Sequence, residues 1–135
     1  MSKASKNIHS GNTKSDITRA LSIRLNLGPG GVRIGPGKIG LLELVGETGS
    51  IAAAGRALDM SYRRAWLLID SLNQAFAEPV VIRRSGGSGG GGAELTALGR
   101  EIIDRYRRIE QMAEVVADED LTALSQWCRV DRPSE

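Results

Sequence analysis

Apolar and polar residues alternate from Leu21 to Leu27, at the end of the longer run ITRALSIRLNL that starts at Ile17. A period of two predicts a half-buried β-strand, because successive side chains of a strand point to opposite faces. The sequence GPGG comes next and is a strong turn signal, and VRI after it predicts a short returning strand. The chain is therefore predicted to open with a β-hairpin.

Two helical patterns follow the hairpin. Pro36 suits the first turn of a helix from Pro36 to Glu47, which has a broad apolar face and is stopped by Gly49. Ser50 can cap the next helix, IAAAGRAL, by accepting a backbone N–H bond. The small side chains of this short helix allow another helix to approach its backbone closely.

A tight break at Asp59-Met60 separates this short helix from a longer one that runs to about Phe76. Aspartate tolerates the left-handed backbone conformation better than most residues, and Ser61 is the N-cap candidate of the longer helix. Two helices joined by such a turn predict a helix-turn-helix. The apolar side of the longer helix is predicted to contain Tyr62, Ala65, Leu68, Ile69, Leu72 and Phe76.

The glycine-rich segment Gly86–Gly92 lies between VVIRRS, a predicted strand, and AEL, a possible returning strand. A phosphate-binding P-loop is excluded, because it needs a lysine and a hydroxyl residue after the last glycine, and Ala93-Glu94 stand there. An interdomain linker is disfavoured, because essentially one long helix and a tail follow. We favour the tip of a hairpin wing that lies along a phosphate backbone, with a flexible hairpin that makes no contact as the alternative.

Thr96 is the N-cap candidate of a long helix, ALGREIIDRYRRIEQMAEVVA. Its apolar residues are spaced four and three apart, which is typical of a coiled-coil seam. We expect a homodimer through this helix, although the same face could pack on its own domain. The predicted dimerisation residues are Ile102, Tyr106, Ile109, Ala113 and Val116.

Together these elements predict an α+β, mostly α fold: a winged helix-turn-helix with an N-terminal β-hairpin, a Gly-rich wing and a long C-terminal dimerisation helix. We expect a flexible tail at residues 1–16 and the winged helix-turn-helix domain at 17–96. The dimerisation helix is expected at 97–118, and an acidic segment at 119–135.

The formal net charge is only +2, but the charges are unevenly distributed. Five basic residues stand against Asp16 between Lys14 and Lys38, whereas seven acids stand against two arginines after Arg108. A basic body with an acidic end is the asymmetry expected of a domain that binds a polyanion on one side.

Signals of catalysis and of a membrane are missing from the sequence. His9 is the only histidine and Cys128 the only cysteine, and no metal-ligand spacing occurs. We therefore predict that the protein is not an enzyme and has no metal or other cofactor. With no apolar run of about 20 residues, no secretory signal and no possible internal disulfide, a cytoplasmic location without a membrane is expected.

The run RIGPGKIGLLELVGETGSIAAAGRALDMSYRRAWLLIDSLN, the Gly-rich segment and LTALGREIIDRY resemble the N-terminal DNA-binding domain of ModE-type molybdate-dependent transcriptional regulators. The resemblance covers about residues 18–116, and a more distant one is to the helix-turn-helix of LysR-type regulators. It implies a dimeric winged helix that binds operator DNA. The C-terminal molybdate-binding domains of full-length members are expected to be lacking, so only the DNA-binding half of the family's function is carried over.

In a helix-turn-helix the N-terminal part of the second helix enters the major groove, which assigns base contact first to Arg63 and then to Arg64. Tyr62 falls on the apolar side, so packing is its expected role, with its hydroxyl reaching towards a phosphate. Arg83 and Arg84 point to opposite faces of a strand, so at most one of them is expected to face DNA. The predicted DNA-binding residues are Lys38, Ser50, Ser61, Tyr62, Arg63, Arg64, Arg83, Arg84, Gly87, Ser88 and Gly89.

The predicted function is a homodimeric transcriptional regulator that binds a pseudo-palindromic site in double-stranded DNA. One alternative is a winged-helix module that binds a protein and has lost DNA binding. Another is a DNA-binding regulator that senses a small anion by itself.

Overall fold

The structure is a computed structural model that describes residues 21–84 and 92–129. Two antiparallel hairpins and five helices are found within these ranges, so the prediction of a mostly helical α+β winged helix is confirmed. In chain order the elements are β1 Leu25–Leu27, β2 Val32–Ile34, α1 Pro36–Thr48, α2 Ile51–Ala57, α3 Tyr62–Ala75, β3 Val81–Arg84, β4 Gly92–Leu95, α4 Ala97–Val116 and α5 Asp118–Gln126.

The opening hairpin pairs β1 with β2, with Leu25 opposite Ile34. Its turn is closed by a hydrogen bond from the Gly31 N–H to the Gly28 carbonyl, and both glycines have positive φ angles of 69° and 67°. The strand is shorter than the alternating pattern predicts and begins only at Leu25. Since β2 runs into α1 within two residues, it offers no backbone partner to the residues before β1.

The helix ends have the predicted caps. The Ser50 hydroxyl accepts a hydrogen bond from the Ala53 N–H at 3.0 Å, and the Ser61 hydroxyl accepts one from the Arg64 N–H at 3.1 Å. Asp59 has a φ angle of 60° in the turn between α2 and α3. These local features set the angle at which the chain leaves α2 and enters α3.

Close packing of α2 on α3 depends on small residues. A Cβ atom added at Gly55 would lie 3.1 Å from the Ala65 Cβ and 3.3 Å from the Met60 carbonyl oxygen. Ala54 and Ala65 are fully buried at this contact region of the core. The expectation that small side chains permit a close helix approach is met at these residues.

The second hairpin, β3–β4, is joined to α3 by one side chain. The Asn73 carbonyl oxygen accepts from the N–H groups of Val80 and Val81 at 2.8 and 3.2 Å, and its amide donates to the Val81 carbonyl at 3.1 Å. The register of the β3–β4 pair places Val81 opposite Leu95 and Arg84 opposite Gly92. Asn73 therefore fixes where this hairpin leaves the helix.

Helix α4 is held against the domain by its buried face. The Tyr106 ring is fully buried, and its O–H donates to the Ile23 carbonyl at 2.6 Å. Thr96 caps the helix through a 3.0 Å bond from the Gly99 N–H, and its own hydroxyl donates to the Pro79 carbonyl. The start of α4 is therefore hydrogen-bonded to the segment 79–81, which also contains the hydrogen-bond partners of Asn73.

An ionic triad joins α4 to α1. The Arg107 guanidinium donates to both carboxylate oxygens of Glu43 at 2.8 and 2.9 Å and to buried Glu110 at 2.8 Å. The hydrogen bonds with Glu43 are the main cause of a raised pKa of Arg107, and burial opposes the rise. A raised pKa adds stability that is complete below the unfolded-state pKa and is lost only above the folded-state pKa. Because an arginine pKa already lies far above neutral, this contribution is constant near neutral pH.

The chain divides into two units, Ile23–Glu110 and a second unit whose described residues include 111–129. The second unit contains α5, which lies where the sequence predicts only an acidic segment. Asp118, Glu119 and Asp120 form its first turn, where negative charge favours a helix N-terminus. This acidic cluster, followed by apolar Leu121 and Leu124, is the sequence feature that could have predicted the helix.

Candidate nucleic-acid interface

Helix α3 is amphipathic, and its polar face is open to solvent. Ala65, Ile69 and Leu72 are buried in the core, whereas Arg63 and Arg64 are exposed. Within the described ranges neither guanidinium makes a hydrogen bond or an ion pair. With respect to the described residues, both therefore retain all their side-chain donors for a partner, which is the condition that bidentate base or phosphate recognition requires.

Tyr62 does not pack as predicted. Its side chain is half exposed, and its hydroxyl accepts a 3.3 Å hydrogen bond from the Arg83 guanidinium. Position 62 lies in the first turn of α3, beyond the part of the apolar face that reaches the core, so helical spacing alone misplaces it. The contact joins the recognition-helix candidate to β3.

The structure brings three predicted residues together around one small crevice. Ser50 at the start of α2, Tyr62 at the start of α3 and Arg83 on β3 all line it. These residues are widely separated in the sequence, so only the packing of α2, α3 and the hairpin makes them neighbours. The crevice lies at one flank of α3.

Arg84 lies on the other face of the hairpin. Its guanidinium pairs with the Glu94 carboxylate at 3.3 Å, and both side chains are about half exposed. The period of two along β3 separates it from Arg83, as expected, and Arg83 is the member of the pair that reaches α3. Three further predicted residues lie outside the described part of the chain: Gly87, Ser88 and Gly89.

Lys38 lies at the opposite flank of α3. Its ammonium donates to the Arg33 carbonyl at 3.1 Å and lines a groove with Arg24, Arg33 and Arg64. Arg24 and Arg33 are not among the predicted DNA-binding residues. The alternating pattern could have indicated both residues, because it places them at polar positions in or next to the hairpin strands, within the basic opening segment.

The residues predicted to form a dimer seam have different surroundings along α4. Ile102 is half-buried against the core and Tyr106 is fully buried within it, whereas Ile109 is 42% exposed. Ala113 is half-buried and Val116 is 86% exposed. The first residues of the predicted seam therefore pack in or against the domain's own core, and the apolar residues after Tyr106 are more accessible to solvent.

Residues 21–84 and 92–129 contain neither a membrane-spanning helix nor a cluster of metal ligands. No helix there has the length and apolar character needed to cross a membrane. No group of three or more histidine, cysteine, aspartate or glutamate side chains there is placed to hold a metal ion.

Comparison with known proteins identifies the domain. Residues 38–100 match the bacterial regulatory helix-turn-helix proteins of the lysR family. The chain is 44% identical over 80 residues to the molybdenum-pterin-binding protein MopB of Rhodobacter capsulatus, covering 59% of this chain and 30% of MopB. It is 41% identical over 80 residues to the molybdenum transport protein ModE of Azotobacter vinelandii, with the same coverage.

A third relative is named as a transcriptional regulator. The chain is 37% identical over 94 residues to the DNA-binding transcriptional dual regulator ModE of Escherichia coli K12, covering 67% of this chain and 36% of that protein. The chain thus spans about a third of the length of these relatives. Residues 38–100 are therefore similar to the helix-turn-helix domain of the lysR family of bacterial regulatory proteins, in a chain that is also similar to the ModE proteins over 80 to 94 residues.

Proposed function

We propose that this chain is a transcriptional regulator that binds a specific sequence of double-stranded DNA as a homodimer. The observation that carries the proposal is the exposed first turn of α3, where Arg63 and Arg64 have no polar partner within the described residues. The name of the Escherichia coli relative, a DNA-binding transcriptional dual regulator, supports the same function. Such a regulator acts where DNA is, and we infer a cytoplasmic location.

We infer that α3 enters the major groove by its N-terminal turn. Arg63 points away from buried Ala65 and Ile69, so it is the residue we assign to a guanine edge. Arg64 lies towards the groove that also contains Lys38, which assigns it to a phosphate or a neighbouring base. Ser50 and Ser61 support the contact by holding the two helix starts in place.

We assign the β3–β4 hairpin to the DNA backbone beside α3. Arg83 is held by the Tyr62 hydroxyl next to the first turn of α3, which makes it the phosphate contact on this flank. Arg84 is paired with Glu94 on the other face and is the less suitable candidate. The predicted contacts of Gly87, Ser88 and Gly89 remain part of the proposal.

The Arg63→Ala variant tests the base contact. Its affinity for a duplex selected in vitro from a random pool by the wild-type protein is expected to fall by about 1–3 kcal/mol, while its affinity for random duplex changes little. Fluorescence anisotropy at one fixed salt concentration measures both. Arg108→Ala is the matched control, because Arg108 is an exposed arginine on α4 with no polar partner in the described part of the chain. Equal losses on selected and random duplex would contradict a base-reading role.

We propose that two copies associate through the accessible apolar residues of α4. Ile109, Met112, Val115 and Val116 are all substantially exposed on this helix. Tyr106 and Ile102 support the helix from inside the domain. A two-fold dimer would place two copies of α3 on half-sites about one DNA turn, roughly 34–36 Å, apart, which fits a pseudo-palindromic operator.

Sedimentation equilibrium tests the dimer. Ile109→Glu is expected to raise the dimer dissociation constant at least about tenfold, because association would bury an unpaired carboxylate at a cost above about 1.4 kcal/mol. Gln111→Glu adds the same charge to the same helix about 200° around its axis and is expected to leave association unchanged. Unchanged association of the Ile109→Glu variant, or a monomeric wild-type protein, would refute dimerisation through this face.

A further inference from the structure

We propose that the groove between the β1–β2 hairpin and α3 binds a phosphate of the DNA backbone, with Arg24 and Arg33 as its principal contacts. We call it the hairpin groove; Arg24, Arg33, Lys38 and Arg64 provide its cationic side chains. The inference rests on the proposed function and adds a second backbone contact, on the flank of α3 opposite Arg83.

The charge of the hairpin groove is of one sign. Four of its lining residues are basic and none is acidic. Elsewhere in the described domain, Arg84 on β3 pairs with Glu94, and Arg107 on α4 pairs with Glu43. Four cations facing one groove repel each other, and a bound anion removes that repulsion.

The donors of the hairpin groove are available. Within residues 21–84 and 92–129, the guanidinium groups of Arg24, Arg33 and Arg64 make no hydrogen bond or ion pair. The Lys38 ammonium donates to the Arg33 carbonyl, which leaves two of its three N–H donors for a ligand. A phosphate diester presents two non-bridging oxygens that share one negative charge and accept such bonds.

The groove is also shaped by the backbone. Gly35, between β2 and α1, brings the main chain against the Arg24 side chain: a Cβ added there would lie 3.1 Å from the Arg24 Cγ. Arg33 projects from the polar face of β2, between half-buried Val32 and buried Ile34. The Arg24 side chain thus packs on the Gly35 backbone, Arg33 lies on β2, and both residues line the same groove.

The position beside α3 indicates DNA as the source of the phosphate. Arg64 and Leu68 of α3 line the hairpin groove, while Tyr62 on the opposite flank meets Arg83. A helix in the major groove, which is about 12 Å wide, has a phosphate backbone on each side. The two cationic flanks of α3 match this arrangement.

The test is the salt dependence of affinity for the selected duplex. Arg33→Gln and Arg24→Gln are each expected to reduce the magnitude of the negative slope of log K against log salt by about 1. Each is also expected to weaken binding to selected and random duplex by the same factor. Arg108→Gln is the charge-matched control and is expected to leave the slope unchanged. Circular dichroism checks folding, and Arg33, whose side chain is exposed on β2, provides the variant least able to disturb the core.

A neutral methylphosphonate placed at single backbone positions locates the contact. At one position it is expected to weaken wild-type binding but to have a reduced effect on Arg33→Gln. Slopes unchanged in both arginine variants, while the wild-type protein binds duplex and Arg63→Ala loses selectivity, would overturn this inference and leave the proposed function intact. Binding of inorganic phosphate that Arg33→Gln abolishes, with an unchanged slope, would mark a free-anion site and would also overturn it. Failure of the wild-type protein to bind any duplex would refute both proposals.

Discussion

Replacing Gly99 by alanine is expected to lower the free energy of unfolding by about 3 kcal/mol, at the upper end of typical overpacking costs. An added Cβ would overlap the Val80 carbonyl oxygen and lie 3.3 Å from the Leu95 Cδ2. The same carbonyl accepts the Thr96 N–H at 3.0 Å, so it has little freedom to move. Urea denaturation followed by circular dichroism measures the loss.

Gly40→Ala is the matched control for this prediction. Gly40 lies within α1, and a Cβ added there meets no atom within 4 Å. Alanine is a better helix former than glycine, so this variant is expected to gain about 0.5–1 kcal/mol. If Gly99→Ala were as stable as the wild type, the contact of α4 with the Val80 segment would have to be different from the one described.

Replacing Asn73 by alanine is expected to cost about 2–3 kcal/mol of unfolding free energy. Val80 and Val81 are buried residues whose N–H groups both donate to the Asn73 side chain. Without that acceptor the buried donors incur their desolvation cost, and the Val81 carbonyl loses a donor as well. Thermal and urea unfolding of the variant measure the effect.

Gln74→Ala separates this effect from a general loss of side chain on α3. Gln74 is the next residue of the helix, is exposed and makes one surface hydrogen bond, to Asp70 at 2.9 Å. Its replacement is expected to change stability by less than about 0.5 kcal/mol. Equal stability of the Asn73→Ala and Gln74→Ala variants would show that Asn73 does not anchor the β3–β4 hairpin.

The Asn73 anchor also has a consequence for the proposed DNA contact. It fixes the start of β3, and therefore the place of Arg83 beside Tyr62. We expect the folded fraction of Asn73→Ala to bind selected and random duplex more weakly, because the backbone contact of this hairpin is less well positioned. A variant that keeps full affinity for both would separate the anchor from DNA binding.

Much of the geometry of the proposed interface could be predicted from local chemistry. The caps at Ser50 and Ser61, the left-handed turn at Asp59 and the exposure of Arg63 depend on neighbours within a few residues, where composition and periodicity are informative. The predicted packing of the Tyr62 side chain was wrong, because a residue on the apolar face of a helix is buried only where another element covers it. The helix α5 was missed because its acidic first turn was interpreted only as charge.

The order of elements up to α4, the helix caps, the turn glycines and the basic character of the opening segment follow from the sequence, since each depends on backbone preferences and nearby side chains. Tertiary packing decided the partners of residues that are far apart: Tyr106 inside its own domain, Asn73 on the β3–β4 hairpin, and Arg24 with Arg33 beside Arg64. These contacts depend on how helices and hairpins fill a common core, and the three-dimensional distances involved are not encoded in spacing along the chain.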